Sequence, residues 1–227
     1  MKQSSKIAVV FDDRVTAGEI KKLKKTGAFI AELRFDLFSR FDTAHVLDQI
    51  RKAGSLPKIA TIRSRIEGGK WKFSEAERLK LFRIVIPKVD RVDIELSSRK
   101  ILKTVIKMAR KHKTKVIVSY HNFKKTPSDV ELEKIIRAAR RSGADIVKIA
   151  TFIKTERDLL SLIRLTLRHA DQKVIVIGMG PKGAVSRILF PGLGSLFTYV
   201  SLKQAVAPGQ FSYFETARLF KSLYSSK

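Results

Sequence analysis

Residues 115–152 read KVIVSYHNFKKTPSDVELEKIIRAARRSGADIVKIATF. The segment opens on a β-branched run at 116–120 and closes on another at 146–151, so each end reads as a buried strand. Between them, residues 130–140 repeat apolar positions at helical spacing, and Ser128 followed by Glu131 has the form of a capping box. A strand, a helix and a second strand in this order form a parallel crossover unit. Working outward, similar apolar runs stand at 7–11, 29–35, 59–63, 92–96, 174–177 and 196–200, which with the first two makes eight. Helical stretches follow at 19–25, 44–53, 74–86, 100–111, 156–168 and 213–223, and Ser74 with Glu77 repeats the capping pattern. No Pro-, Gly- or Ser-rich linker divides the chain, and 227 residues suit one domain spanning 1–227. The expected fold is therefore α/β, a single-domain (β/α)8 TIM barrel, with an open doubly wound sheet as the alternative.

Composition narrows the chemistry. With no cysteine, a disulfide framework, a thiolate metal cluster and a cysteine nucleophile are all excluded. Lys and Arg number 47 against 21 Asp and Glu, and the resulting net charge of +26 would attract nucleic acid, an anionic membrane surface or a small anionic substrate. The cations are spread over every helix and no nucleic-acid motif is present, so specific nucleic-acid binding is not expected. No stretch reaches the roughly 18 uncharged residues of a membrane span, and the opening apolar run is far shorter than a signal-peptide core. The expectation is a cytoplasmic protein without a membrane partner, with a homodimer left open.

Charge placement along the strands is more informative than its total. Lys6, Lys58, Arg91, Lys115 and Lys173 stand just before apolar runs, where a barrel's bottom rim carries solvated cations. By contrast Glu32, Arg34 and Asp36 alternate within FIAELRFD, Arg63 ends KIATIR, His121 ends KVIVSYH and Lys148 sits inside DIVKIATF. These positions lie toward the C-terminal strand ends, where barrel enzymes place their chemistry.

Each candidate has a plain structural alternative. Lys148 is flanked by Ile146, Val147, Ile149 and Ala150, and burial lowers an amine's pKa toward nucleophilic reactivity. The alternative is a lysine paired with a carboxylate inside the barrel. His121 ends the preceding strand and suits general acid–base work, or else caps the next helix. His45, His112 and His169 read as surface residues in polar helical stretches, and four histidines without metal-ligand spacing argue against zinc. Glu67, before Gly68 and Gly69, is placed to orient a histidine or to sit in an ordinary polar loop. Glu32 and Arg34 share a strand face, and their simplest relation is an internal ion pair. The run Gly178-Met-Gly180-Pro-Lys-Gly183 fits GxGxxG, yet it follows the seventh strand and lacks the acidic residue a dinucleotide needs. With Arg187 a turn later it reads instead as an anion site.

Taken in order, Glu32-Leu-Arg34-Phe-Asp36, Ile62-Arg63 through Glu67-Gly-Gly, Ser119-Tyr-His121-Asn-Phe123 with Lys125-Thr-Pro127, Val147-Lys148-Ile-Ala150, Met179-Gly180 through Ser186-Arg187, and Ala207-Pro-Gly-Gln210 form a recognisable set. The chain resembles the type I 3-dehydroquinate dehydratases, the Schiff-base class, over nearly its whole length. The resemblance implies a hydro-lyase of the shikimate pathway acting without metal or organic cofactor on the small anion 3-dehydroquinate. Lys148 would form an imine with the ring ketone, His121 would move the proton, and Glu67 would orient His121. Arg187 would hold the carboxylate, Glu32, Arg34 and Arg63 would contact the ring hydroxyls or carboxylate region, Met179 would pack near the imine, and Gln210 would belong to a lid. The pattern breaks at Val206, where the family often has serine, and at Asn122, where an acidic residue is common. A class I aldolase-like barrel using the same lysine on a sugar phosphate is the competing enzyme, and a nucleic-acid-binding barrel the competing non-enzyme.

Overall fold

The computed structural model describes residues 6–26, 29–202 and 211–224. In chain order these form β1 (Ile7–Phe11), α1 (Ala17–Thr26), β2 (Ile30–Arg34), α2 (Thr43–Lys52), β3 (Lys58–Thr61), α3 (Glu75–Val85), β4 (Arg91–Glu95) and α4 (Leu102–Lys111). The second half repeats the unit with β5 (Lys115–Asn122), α5 (Asp129–Ser142), β6 (Ile146–Phe152), α6 (Glu156–Arg168), β7 (Val174–Met179), α7 (Ser186–Leu189), β8 (Thr198–Ser201) and α8 (Tyr213–Tyr224). All eight strands are parallel and run in the order β7-β6-β5-β4-β3-β2-β1-β8. At the β7/β8 seam Leu196 N donates to Val174 O at 2.9 Å, and Val176 N donates to Ser195 Oγ at 3.1 Å. These bonds close a TIM barrel, and the open-sheet alternative is set aside.

Local signals place the helices. Ser74 and Ser128 accept from the amides of Glu77 and Glu131, each carboxylate returning to the cap amide, so both expected capping boxes form. A third, Thr155 with Asp158, starts α6. Strand side chains alternate between two apolar layers. Val92, Ile94, Val116, Val118, Val147 and Ile149 face the helices, while Ile59, Ile117, Ile146, Ile175 and Phe197 fill the interior. Each such side chain, fully buried, contributes roughly 1.5–3 kcal/mol relative to exposure.

Most strand ends shift by a residue or two from the sequence reading, and β3, β5 and β8 do so for identifiable reasons. β3 stops at Thr61 because the amides of Arg63 and Ser64 donate instead to the Asp36 and Glu95 carboxylates, at 3.1 and 2.8 Å. β5 runs on to Asn122 because His121 and Asn122 keep pairing with Ala150 and Thr151. β8 starts at Thr198, Leu196 before it being engaged at the seam through its amide. His169 is a correction: it is 6% exposed, its Nε2 lying 3.1 Å from Glu133 Oε1, and it ties α6 to α5. His45 is half-buried with its Nε2 3.2 Å from Asp13 Oδ2, and His112 alone of the three is exposed. Among the described residues no helix is long and apolar enough to cross a membrane.

Candidate active site

The inward-facing polar side chains collect at the C-terminal ends of the strands. Period-two alternation brings Glu32 and Arg34 from β2, Asp93 from β4, His121 from β5 and Lys148 from β6 to the same side of the sheet. There they meet Arg63, Glu67, Met179, Arg187 and Tyr199 around a cleft of about 530 Å³. Every sequence-predicted site residue except Gln210 lines this cleft; Gln210 and Val206 lie outside the described residues.

Lys148 is 5% exposed. Its Nζ lies 3.3 Å from Asp93 Oδ2, 4.0 Å from Glu32 Oε1 and 3.8 Å from the centroid of the Tyr199 ring. Burial draws its pKa below the ordinary amine value; Asp93 and Glu32 oppose that fall, and the Arg63 and Arg34 charges assist it. The ion-pair reading of this lysine is met by Asp93, and the same amine lines the cleft.

His121 stands on the neighbouring strand one inward position further along, since Ser119 pairs with Lys148 and His121 with Ala150. Its Nδ1 is 2.9 Å from Glu67 Oε2, and its amide donates to the same oxygen at 2.9 Å. A carboxylate accepting at Nδ1 assigns the proton there and leaves Nε2 as the basic nitrogen. Burial depresses the imidazole pKa well below its ordinary value, and Arg63, Lys148 and Arg34 push it further, so the ring is neutral near pH 7. Glu67 sits in a single 3-10 turn, Arg65–Glu67, where Ser97 Oγ also donates to it. Burial pushes its pKa up to about 7. Gly68 adopts φ 79°, and a Cβ there would meet the Phe123 ring at 2.5 Å; that ring lies stacked beside His121, with centroids 6.4 Å apart.

The expected Glu32–Arg34 ion pair does not form. Arg34 instead grips Asp36 through two bonds of 2.8 Å, while Glu32 accepts from Thr61 Oγ1 at 2.8 Å and faces Lys148. Same-side residues two apart on an extended strand stand more than 6 Å apart along it, whereas the turn after β2 folds Asp36 back onto Arg34. Arg63 is tied beneath the cleft, donating to Ser119 Oγ at 2.7 Å and Asp93 Oδ1 at 2.9 Å, with Glu95 at 3.1 Å. Those carboxylates hold its guanidinium above the ordinary arginine range despite burial. Glu95 is shared with the fully buried Arg78, and the two arginines keep its carboxyl down at about 2 against the opposing effect of burial.

Arg187 is 2% exposed, and burial lowers its pKa to about 10. Its Nη1 donates to Tyr199 O at 3.3 Å. The glycine run beside it packs backbone rather than offering amides. Gly178 N donates to Ser186 Oγ, Gly183 N to Gly180 O, and a Cβ on Gly183 would lie 2.5 Å from Gly178 C. The charged group that this corner turns toward the cleft is the Arg187 side chain. Among the described residues no group of three or more His, Asp or Glu could hold a metal ion.

The sequence reading missed Asp93, Glu95, Ser119 and Tyr199. The two carboxylates alternate in RVDIE as Glu32 and Arg34 do in FIAELRFD, so the same signal was there to be used. Tyr199 lies in an ordinary strand pattern, and only the closed barrel carries its ring to Lys148.

A family model described as type I 3-dehydroquinase matches residues 7–227. A 3-dehydroquinate dehydratase of Thermodesulfovibrio yellowstonii is 37% identical over 216 residues, covering 95% of this chain and 94% of the relative. The crystal structure of the 3-dehydroquinate dehydratase from Aquifex aeolicus superposes with a TM-score of 0.87 at 36% identity, covering 97% of this chain and 99% of the other. The type I enzyme of Clostridium difficile, solved with covalent modified comenic acid, gives a TM-score of 0.87 at 29% identity over 97% of this chain and 92% of the other. With the amine, imidazole and carboxylate drawn around one cleft and a match of this length and identity, the chain belongs to the type I 3-dehydroquinase family.

Proposed function

We propose that this barrel is the 3-dehydroquinate dehydratase of the shikimate pathway and that it works through an imine on Lys148. The hydro-lyase class follows from family membership; the residue roles rest on the geometry. The observation that carries the reading is a buried amine and a neutral imidazole on adjacent strands lining one cleft.

The Lys148 ammonium gives up a proton, the free amine attacks the ring ketone, and the carbinolamine takes that proton back as it loses water, leaving a protonated imine. His121 Nε2 removes a proton from the adjacent ring carbon, and the C–H electrons pass toward the iminium nitrogen to give an enamine. The enamine returns those electrons as the C–O bond at the next carbon breaks, with the His121 proton leaving on the hydroxyl as water. Hydrolysis of the conjugated imine then releases 3-dehydroshikimate and restores Lys148, so the net change is loss of one water.

Glu67 keeps the Nδ1 proton in place so that Nε2 stays basic. Arg187 supplies a buried guanidinium whose desolvation favours an anionic partner, which suits the substrate carboxylate. Glu32, Arg34, Arg63 and Met179 shape the remainder of the cleft. Gln210 is carried into this proposal as the lid residue by resemblance alone. Mixing the protein with 3-dehydroquinate should produce the absorbance of a conjugated enone, and borohydride added during turnover should leave a reduced adduct whose peptide maps to Lys148. Undiminished turnover by Lys148→Ala would refute the mechanism.

A further inference from the structure

Tyr199 is absent from the proton chemistry above, yet it touches the group on which that chemistry turns. Its ring centroid lies 3.8 Å from Lys148 Nζ, within cation–π range. The residue is 4% exposed, its ring packs on Phe197 at 5.5 Å, and its carbonyl accepts from Arg187. Its hydroxyl is buried with no hydrogen-bond partner among the described residues. A phenol so placed carries the desolvation cost of its oxygen without a compensating bond, which locates its contribution in the ring.

We propose that the Tyr199 ring is a positioning group for the imine nitrogen, its π face replacing water around the positive charge on Lys148 as ammonium and then as iminium. The inference rests on the imine reading. The ring closes one side of a cradle whose other sides are charged: Asp93 from β4 and Glu32 from β2 approach the nitrogen at 3.3 and 4.0 Å. Arg34 and Arg63 oppose its charge, His121 with Glu67 stands beside it on the β5 side, and Arg187 of α7 lines the same cleft. A neutral face suits this place. A further carboxylate would hold the ammonium too firmly to release its proton, and a purely aliphatic wall would leave the iminium without compensation.

The test compares wild type, Tyr199→Phe and Tyr199→Leu. It reads steady-state turnover of 3-dehydroquinate and the pH dependence of adduct formation under cyanoborohydride, with the adduct followed by mass. Tyr199→Phe keeps the ring and should match wild type in kcat and in the acid-side midpoint of trapping. Tyr199→Leu should move that midpoint down by about half to one pH unit and lower kcat about tenfold. If Tyr199→Leu does not fold, Tyr199→Met, closer in volume and without a π face, carries the same expectation. A leucine or methionine variant with wild-type midpoint and kcat overturns the proposal, as does a phenylalanine variant as impaired as leucine. Absence of any adduct in wild type removes the imine reading and this inference together, whereas wild-type trapping with an unaltered leucine variant removes only the inference.

Discussion

At the residue scale the site is a set of titratable groups whose environments push them toward complementary states. His121 is held neutral because burial and three neighbouring cations refuse it a proton. Its folded pKa lies below the unfolded value, so its contribution to stability is present above about pH 6.5 and is lost as pH falls through that region. Glu67 shifts the other way, up to about 7. A carboxyl with a raised folded pKa favours folding while protonated, and that benefit fades as pH rises from about 4.5 to 7. Glu67→Gln is therefore expected to raise Tm at pH 8 by roughly 2–8 °C, with little change near pH 4.5, while kcat falls. Thermal melts at the two pH values check the sign. His121→Ala should lower kcat by about 10²–10⁴-fold and leave the imine still trappable, because the amine that forms it is untouched. An intact-mass measurement after borohydride separates the two steps.

At the element scale β4 is the strand that makes the site possible. Asp93 and Glu95 distribute two carboxylates among Lys148, Arg63 and Arg78, with Ser119 Oγ completing the set at 2.7 Å from Asp93. Breaking a buried pair leaves an uncompensated charge, so Asp93→Asn is expected to cost about 3–5 kcal/mol and to draw the Lys148 pKa still lower. A denaturant melt at constant m measures the first effect. The α5 capping box tests the converse, a change of stability without a change of chemistry. Ser128→Ala removes the oxygen that accepts from Glu131 N and should cost about 1 kcal/mol, with kcat unaltered. The sequence made β4 legible as a strand and left its carboxylates unremarked, because an alternating polar position declares its face only when the neighbouring strand is known.

For the whole molecule the governing quantity is the net charge of +26. Self-repulsion on this scale opposes the compact state, and a positive field gathers an anionic substrate. Both effects are screened over about 10 Å at 0.1 M salt. Raising sodium chloride from low to several hundred millimolar is expected to increase Tm and to lower kcat/KM for 3-dehydroquinate, with kcat nearly constant. A salt series that leaves kcat/KM flat would confine the charge to a solvation role. The barrel also fixes which cations stay in water. Lys115 and Lys173 at the strand starts are exposed, whereas Arg91, on the inward face with Asp93, is half-buried and its Nε is enclosed without a partner among the described residues.

The sequence by itself determined the alternation of strand and helix, the capping boxes at Ser74 and Ser128, and the inward placement of Lys148 and His121, because periodicity and local hydrogen bonding are short-range properties of the chain. For Glu67 the sequence left a histidine partner and an ordinary polar loop both open, and the fold brought its carboxylate to His121. Only the tertiary structure decided who pairs with whom: Arg34 with Asp36 rather than Glu32, Lys148 with Asp93, His169 with Glu133, and Tyr199 against the amine. These partners meet across strands or after a turn of the backbone, at separations set by barrel closure and not by spacing along the chain.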